Sequence, residues 1–341
     1  MRSKTIVYIF ISMLCLAGCK VDPDLESDEI KVPIVYEHPE GFPQAVYDFV
    51  QNPVTTEKFL LGKKLFYDTR LSKDNTISCG ECHQQHAGFA HSEHGVSHGI
   101  NGLLGTRNAP PIFNLAYHAE FMWDGGINNL EVQPIGPITN PVEMDETIEN
   151  VVAKLKVDAT YREMFRSAFG TDEVNSQRML RALSTFMVMI TSAQSKFDLY
   201  KKGKETLTAA ESDGYTIYKA KCSTCHSEPL MTDLTYRNNG LDSYFDKDPG
   251  RAKITFDLGD SGKFKVPSLR NIEVTGPYMH DGRFLTLDKV LTHYGNVKQS
   301  YTLDTLLTNG ITLTQIEKEN LTAFLLTLTD KNFLQNKLFN E

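Results

Sequence analysis

The sequence predicts a mainly α-helical protein built from two similar halves in tandem. Apolar residues recur at the i, i+3, i+4, i+7 spacing of a helix in one segment of each half, and strand-like runs are few. A glycine followed at helical spacing by an aliphatic and an aromatic residue also occurs in each half. The glycine segments are Gly62, Leu65 and Phe66, and Gly214, Ile217 and Tyr218. The apolar stripes are Leu183, Phe186, Met187, Ile190 and Thr191, and Leu321, Phe324, Leu325, Leu328 and Thr329.

Each half also contains one Cys-x-x-Cys-His pentapeptide. In such a segment two thiols form thioether bonds to one haem, and the histidine ligates its iron. A zinc ribbon would need both cysteine pairs within about 15–20 residues of each other, and a thioredoxin-like pair would not need the histidine. The sequence therefore predicts two covalently bound c-type haems. Their attachment residues are Cys79, Cys82 and His83, and Cys222, Cys225 and His226.

The N-terminus has the pattern of a bacterial lipoprotein signal peptide. Arg2 and Lys4 precede an apolar run that ends in Leu-Ala-Gly-Cys at Cys19. The run is too short to span a membrane, and its small-residue end is typical of a cleavage site. We expect cleavage after residue 18 and lipidation of Cys19. The lipid would anchor the protein at the periplasmic face of a membrane, which we expect to be the outer membrane.

Composition and motif positions predict four segments. Residues 1–18 are the signal peptide, and the acidic, proline-containing residues 19–43 form a spacer. The first haem domain spans 44–200 and the second spans 201–341, with the basic stretch at the start of the second as the linker.

Cysteine usage and charge exclude further classes of protein. Of six cysteines, Cys15 leaves with the signal peptide, Cys19 takes lipid and four hold haem, so we expect no disulfide framework. The formal net charge of −8 argues against nucleic-acid binding and favours a basic electron-transfer partner.

Five further motifs follow in one order along the chain. They are Arg107-Asn108-Ala109-Pro110, Trp123-Asp124-Gly125, Pro141-Val142-Glu143-Met144, Pro267-Ser268-Leu269-Arg270-Asn271 and Pro277-Tyr278-Met279-His280-Asp281-Gly282. With the haem motifs, they resemble the bacterial di-haem cytochrome c peroxidases and the related MauG enzymes, which oxidise protein-bound tryptophan precursors. The resemblance implies two tandem cytochrome c-like domains, the first with the peroxidatic haem and the second with the electron-transfer haem.

The resemblance also implies the catalytic residues. Cleavage of a peroxide O–O bond needs an open iron position and a base that moves a proton between the two oxygens. Glu143 matches that base, Gln133 matches the residue that orients the peroxide, and Trp123, the only tryptophan, matches the electron relay between the haems. Without the resemblance, Glu143 would be typical of a surface helix and Trp123 of a packed core.

A calcium ion at the domain interface is a further implication of the resemblance. Asn108, Thr275 and Pro277 match the positions that supply side-chain and carbonyl oxygens, which are the ligands that Ca²⁺ prefers. By itself, the Asn-Ala-Pro segment would indicate only a turn.

The distal ligands separate the branches of the family. Tyr294 stands where MauG-like enzymes have a tyrosine and the peroxidases a methionine, and a phenolate stabilises ferric and higher iron states. Met279 and His293 remain rival ligands of the second haem. At the first haem His98 matches the loop histidine of the peroxidases, while a MauG-like open site without such a ligand is equally compatible.

These residues predict a di-haem peroxidase that reduces hydrogen peroxide with electrons from a small c-type cytochrome or cupredoxin. A MauG-like enzyme that oxidises a residue of a partner protein is the first alternative. A non-enzymatic electron-transfer cytochrome is the second. A homodimer is compatible with the sequence.

Overall fold

The computed structural model describes residues 33–92 and 94–341, and Ile34–Glu341 form one compact unit. The predicted signal peptide, Cys19 and most of the predicted spacer lie outside the described residues. As the sequence predicts, the fold is mainly helical. The α-helices of the described part are α1 Thr56–Phe66, α2 Cys79–Cys82, α3 Ile135–Thr139, α4 Ile148–Lys156, α5 Ala159–Phe169, α6 Ser176–Met189, α7 Lys196–Lys201, α8 Ala209–Lys221, α9 Ala252–Thr255, α10 Leu287–Tyr294, α11 Gln315–Leu326 and α12 Lys331–Leu334.

Two short strands form the sheet of the described residues. β1 (Tyr236–Arg237) pairs antiparallel with β2 (Phe264–Lys265), with Tyr236 opposite Lys265. The rest of the described chain is loop and short 3-10 helix, and several of these loops bring the residues of the site together.

The repeated glycines allow two equivalent pairs of helices to pack closely. α1 packs on α6 in the first half, and α8 packs on α11 in the second. A Cβ atom on Gly62 would lie 1.9 Å from the carbonyl oxygen of Ala182, and one on Gly214 would lie 1.9 Å from that of Asn320. Because any side chain would overlap the partner backbone, only glycine fits at both crossings.

The predicted stripes form the buried faces of α6 and α11. Phe186 and Phe324 are completely buried, as are Phe59 and Tyr218 on the helices that they meet. The helices end earlier than the stripes do, because α6 ends at Met189 and α11 at Leu326. The last two members of each stripe therefore lie beyond the helix.

Buried apolar side chains form two hydrophobic clusters. The first runs from Ile34 to Ile190 and also takes Phe333 and Phe339 from the C-terminal end. The second contains Phe197, Tyr218, Met231, Ile272, Leu291, Leu321, Phe324, Leu325 and Leu328. The C-terminal segment thus returns to the first cluster. The predicted domain boundary at residue 200 stays a prediction, since the described chain forms one compact unit.

Buried polar side chains connect the two clusters. Arg270 is 1% exposed and donates to both carboxylate oxygens of Asp198, at 2.7 and 2.8 Å. Asn271 donates to Ser192 Oγ at 3.0 Å, and its own side-chain oxygen accepts from Asp330 N at 2.9 Å. The motif that contains Arg270 and Asn271 therefore ties α7 to the start of α12, which Asp330 caps. Removing one partner of a buried ion pair such as Arg270–Asp198 costs about 3–5 kcal/mol.

The described end of the predicted spacer packs on the helices. Ile34 is buried in the first cluster, and Tyr36 stacks on Phe49 with ring centroids 4.3 Å apart. Among the described residues, no helix has the length and apolarity that a membrane crossing requires.

Candidate active site

The first Cys-x-x-Cys-His motif begins with one turn of helix. α2 contains Cys79 and Cys82, and the backbone N–H of His83 donates to Cys79 O at 2.9 Å. His83 Nδ1 lies 2.9 Å from Phe89 O, so we infer that Nδ1 carries the proton. That hydrogen bond leaves Nε2 free to ligate a metal and fixes the orientation of the ring.

The second motif is a turn that follows α8, and it orients its histidine in the same way. The backbone N–H of His226 donates to Cys222 O at 3.0 Å, and His226 Nδ1 lies 3.1 Å from Pro267 O. None of the four motif cysteines, all of them among the described residues, forms a disulfide. Each motif thus offers two thiols and one oriented imidazole, which is the donor set that a covalently attached haem requires.

A cavity of about 490 Å³ opens beside the first motif. Its volume lies within the range of about 300–1,000 Å³ that cofactor pockets occupy. Cys79, Cys82 and His83 line it together with many apolar residues, as a porphyrin needs. Four basic residues also line it and suit the carboxylates of a haem. They are Arg107, Lys247, Lys253 and Lys265.

The same cavity brings together the residues predicted for the first haem. His98, Trp123, Gln133 and Glu143 all line it. The short helix α3 separates Gln133 from Glu143, and the backbone N–H of Ile100 donates to Glu143 O at 2.8 Å. The loop that carries His98 is thereby attached to the segment that carries Glu143. The chemical roles of these residues stay predictions.

Partial burial shapes the chemistry of Glu143, and a hydrogen bond to Met122 holds Gln133 beside it in the cavity lining. Burial raises the pKa of Glu143, and the side chain of Asn140 opposes that rise by hydrogen bonding to the carboxylate. Gln133 Nε2 donates to Met122 Sδ at 3.6 Å. A carboxyl with a raised pKa can both take and return a proton, and the amide retains a second hydrogen and its oxygen for a ligand.

Trp123 is fixed at both its ring and its backbone. Its indole N–H donates to Asn108 O at 2.8 Å, and its own carbonyl accepts from Lys265 N at 2.7 Å. Next to it, Asp124 and Asp248 both pair with Arg107, at 2.6 and 2.7 Å. Trp123 therefore lies where loops of the first half meet the β1–β2 sheet of the second.

The three predicted calcium ligands lie in neighbouring segments. Asn108 N donates to His280 O at 2.7 Å, three residues after Pro277, while Asn108 Nδ2 donates to Gly95 O at 3.1 Å. Thr275 N donates to Asn271 O at 3.2 Å. Calcium binding stays a prediction.

His98 belongs to a cluster of three histidines. Its ring centroid lies 3.9 Å from that of His94 and 5.9 Å from that of His91. Burial and the neighbouring imidazoles lower the pKa of His91 to about 4, and His91 Nδ1 has no hydrogen-bond partner among the described residues. In the described part of the chain no three His, Cys, Asp or Glu side chains are arranged to hold a metal ion. The role of His98 as a haem ligand stays open.

Tyr294 ends α10 and faces the second motif. Burial, with smaller contributions from Cys222 and Cys225, raises the pKa of Tyr294 to about 12. All three candidates contact Asn239. His293 Nε2 lies 3.0 Å from Asn239 O, Met279 Sδ accepts a hydrogen bond of 3.4 Å from Asn239 Nδ2, and the Tyr294 hydroxyl hydrogen bonds to the Asn239 side chain. Of the three, Tyr294 is the one whose pKa is affected by both cysteines of the second motif.

Two residues of the site carry no sequence signal. Asn239 follows β1 in a loop, and Lys265 lies on β2, far from either haem motif in sequence. Burial lowers the pKa of Lys265 to about 8, and its ammonium donates to Glu120 O beside Trp123. Neither position belongs to a periodic pattern, so only the tertiary structure reveals them.

Two attachment motifs with oriented imidazoles, on a mainly helical chain, define a di-haem c-type protein. The model of the di-haem cytochrome c peroxidase family matches residues 56–206. The chain is 35% identical to the methylamine utilization protein MauG of Methylorubrum extorquens, over 84% of this chain and 82% of that protein. It is 37% identical to the cytochrome c551 peroxidase of Nitrosomonas europaea, over 72% of this chain and 75% of that protein.

A solved structure, described as a MauG-like protein associated with microbial copper homeostasis, is also similar. It superposes with a TM-score of 0.82 at 34% identity and covers 89% of this chain and 98% of that one. The chain belongs to the di-haem cytochrome c peroxidase family, which includes MauG, and it is therefore an oxidoreductase. Family membership implies that both motifs bind haem c.

Replacing Cys222 and Cys225 together by alanine should halve the haem content. Each motif attaches its own haem, so the variant should retain only the haem on Cys79 and Cys82. Haem per chain, measured from the pyridine haemochrome spectrum of the purified protein, should fall from two to one. Ser223→Ala, inside the same motif, should retain both haems. Equal haem content in the double variant and the wild type would contradict the assignment.

Proposed function

We propose that this protein is a di-haem peroxidase that reduces hydrogen peroxide to water with electrons from an external donor protein. The observation that carries the proposal is the cavity that His83 shares with Gln133 and Glu143. When bound, the haem supplies an iron that can bind peroxide and accept its oxidising equivalents. An electron-transfer cytochrome would not need a carboxyl group and an amide beside this position.

Glu143 is suited to move the proton. Because burial raises its pKa, the carboxyl group can take a proton from one peroxide oxygen and return it to the other. Gln133 is suited to orient the peroxide, since among the described residues its amide hydrogen bonds only to Met122 Sδ, through Nε2. Trp123 is suited to relay electrons because hydrogen bonds to Asn108 and from Lys265 position its ring and its backbone.

A second candidate function is oxidation of a residue in a partner protein. Tyr294 favours it, because a buried phenolic oxygen beside Cys222 would stabilise highly oxidised iron states. The relatives named MauG agree with this candidate. The residues of the cavity beside His83 would serve both functions. The two functions differ in what is oxidised, which is an electron-donor protein in the first and a residue of a partner protein in the second.

Peroxide consumption with a reduced donor tests the proposal. The haem-loaded protein, mixed with a reduced c-type cytochrome or cupredoxin, should oxidise the donor only when hydrogen peroxide is added. We expect turnover within the usual enzyme range of about 1–10³ s⁻¹. Absence of donor oxidation, with a covalent change in a co-purified protein detected by mass spectrometry, would instead support the MauG-like function. Absence of both results would support the remaining alternative, a non-enzymatic electron-transfer cytochrome.

The proposal includes an anchored, periplasm-facing location through lipid on Cys19. It also includes a calcium ion held by Asn108, Thr275 and Pro277. The signal-peptide pattern supports the first and the family resemblance supports the second. A soluble redox protein of the same compartment would then be the electron donor.

A further inference from the structure

Asn239 lies where three side chains meet that could reach the iron of the second haem. Its Nδ2 donates to Met279 Sδ at 3.4 Å, and its carbonyl oxygen lies 3.0 Å from His293 Nε2. Its side chain also faces the hydroxyl of Tyr294, where it opposes the rise in pKa that burial causes. One residue therefore contacts each of the rival ligands.

The turn that carries Asn239 is held on both sides. Asn238 is 2% exposed and donates through Nδ2 to Ser300 Oγ at 3.0 Å and Thr302 Oγ1 at 2.8 Å. Gly240 N donates back to Asn238 Oδ1 at 2.9 Å, and Gly240 O accepts from Lys298 N at 2.7 Å. These bonds hold the backbone of Asn239 in place and so fix the point from which its side chain extends.

The contacts weaken both competitors of Tyr294 as ligands. A sulfur that accepts a hydrogen bond has less electron density to offer a metal, and it is held at the donor. A histidine nitrogen that faces a carbonyl oxygen must carry a proton, which leaves no lone pair on that nitrogen. Tyr294 also hydrogen bonds to the Asn239 side chain, but its oxygen lies beside Cys222 and Cys225, and a phenolate oxygen that accepts one hydrogen bond retains further lone pairs for iron.

We propose that Asn239 is a positioning residue that holds Met279 and His293 away from the second haem and leaves the distal position to Tyr294. The inference rests on the proposed function only in that a haem is attached at Cys222 and Cys225. It concerns the second haem, whereas peroxide turnover depends on Glu143 at the first. Failure of one is therefore distinguishable from failure of the other.

Asn239→Leu in the haem-loaded protein tests the proposal. Leucine has a similar volume but donates no hydrogen bond, so Met279 should become free to compete for the iron. The ferric protein should gain the long-wavelength absorption of a methionine-ligated haem, and the midpoint potential of the second haem should rise, because a thioether favours ferrous iron more than a phenolate does. Asn296→Leu, on the exposed turn after α10, is the matched control and should leave the spectrum unchanged.

A double variant separates ligand exchange from general damage. Asn239→Leu combined with Met279→Leu removes the competitor and should restore the spectrum and potential of the wild type. An unchanged spectrum in Asn239→Leu, or a change that the double variant does not reverse, would overturn the proposal. Met279→Leu alone offers a test that does not depend on the stability of Asn239→Leu. It should keep the wild-type spectrum of the second haem, and a new spectrum in this variant would also refute the proposal.

Discussion

Replacing Glu143 by glutamine should abolish peroxide turnover while both haems remain attached. Glutamine has the same shape but cannot take a proton from peroxide, and a positioned acid–base group contributes about 10²–10⁴-fold to a rate. We therefore expect kcat/KM for hydrogen peroxide to fall by about 10²–10⁴-fold with a reduced donor cytochrome. Haem content and the absorption spectrum should match the wild type. Glu149→Gln, on the exposed first turn of α4, is the control and should keep full activity.

The pH dependence of wild-type peroxidase activity should show the titration of Glu143. Burial raises the pKa of Glu143, and the residue must be ionised to act as the base. Activity should therefore fall as the pH drops through that raised pKa, at a higher pH than an ordinary glutamate would cause. A plot of kcat/KM against pH measures this fall in activity at low pH. The fall should be absent from the residual activity of Glu143→Gln. Near-normal turnover in the variant would refute the assignment of Glu143.

Gly214→Ala should destabilise the second half of the protein severely. The new Cβ would lie 1.9 Å from Asn320 O, so α8 and α11 would have to move apart. Overpacking costs about 1–3 kcal/mol, and we expect a loss near 3 kcal/mol because the clash is with backbone rather than with a flexible side chain. Urea unfolding followed by circular dichroism measures the free energy of unfolding.

A neighbouring substitution separates this clash from the effect of helix propensity. Asp213→Ala, on the exposed face of α8, should change the free energy of unfolding by less than about 0.5 kcal/mol. In an exposed helix, glycine to alanine would stabilise by up to about 1 kcal/mol. A stabilised Gly214→Ala would show that the two helices do not cross this closely. Gly62→Ala should behave as Gly214→Ala does, because its Cβ would meet Ala182 O at the same distance.

Local patterns were sufficient to predict the helices that build the two halves. The apolar stripes in α6 and α11 follow the helical period, and Phe186 and Phe324 are buried as that period predicts. The ends of the helices were less predictable. Ile190 and Leu328 continue the apolar pattern but lie past the last helical residue, because packing in the loops buries them as well.

The candidate site was predictable only in part. Glu143, Gln133 and Trp123 stand in motifs that resemble a family, and the cavity beside His83 brings them together. Asn239 lies in a loop and Lys265 on the two-residue strand β2, both without periodicity, and their partners are distant in sequence. No local pattern encodes such contacts, because they depend on how separate segments pack.

The amino-acid sequence by itself determined the cofactor chemistry and the helical class. Both are local properties, since a pentapeptide contains every haem-attachment atom and a stripe follows the period of one helix. The tertiary structure alone decided which residues surround each haem motif. It set Glu143 in a partly buried position that raises its pKa, and it directed Asn239 toward Met279 and His293. Those properties depend on burial and on distances between segments, which exist only once the chain is packed.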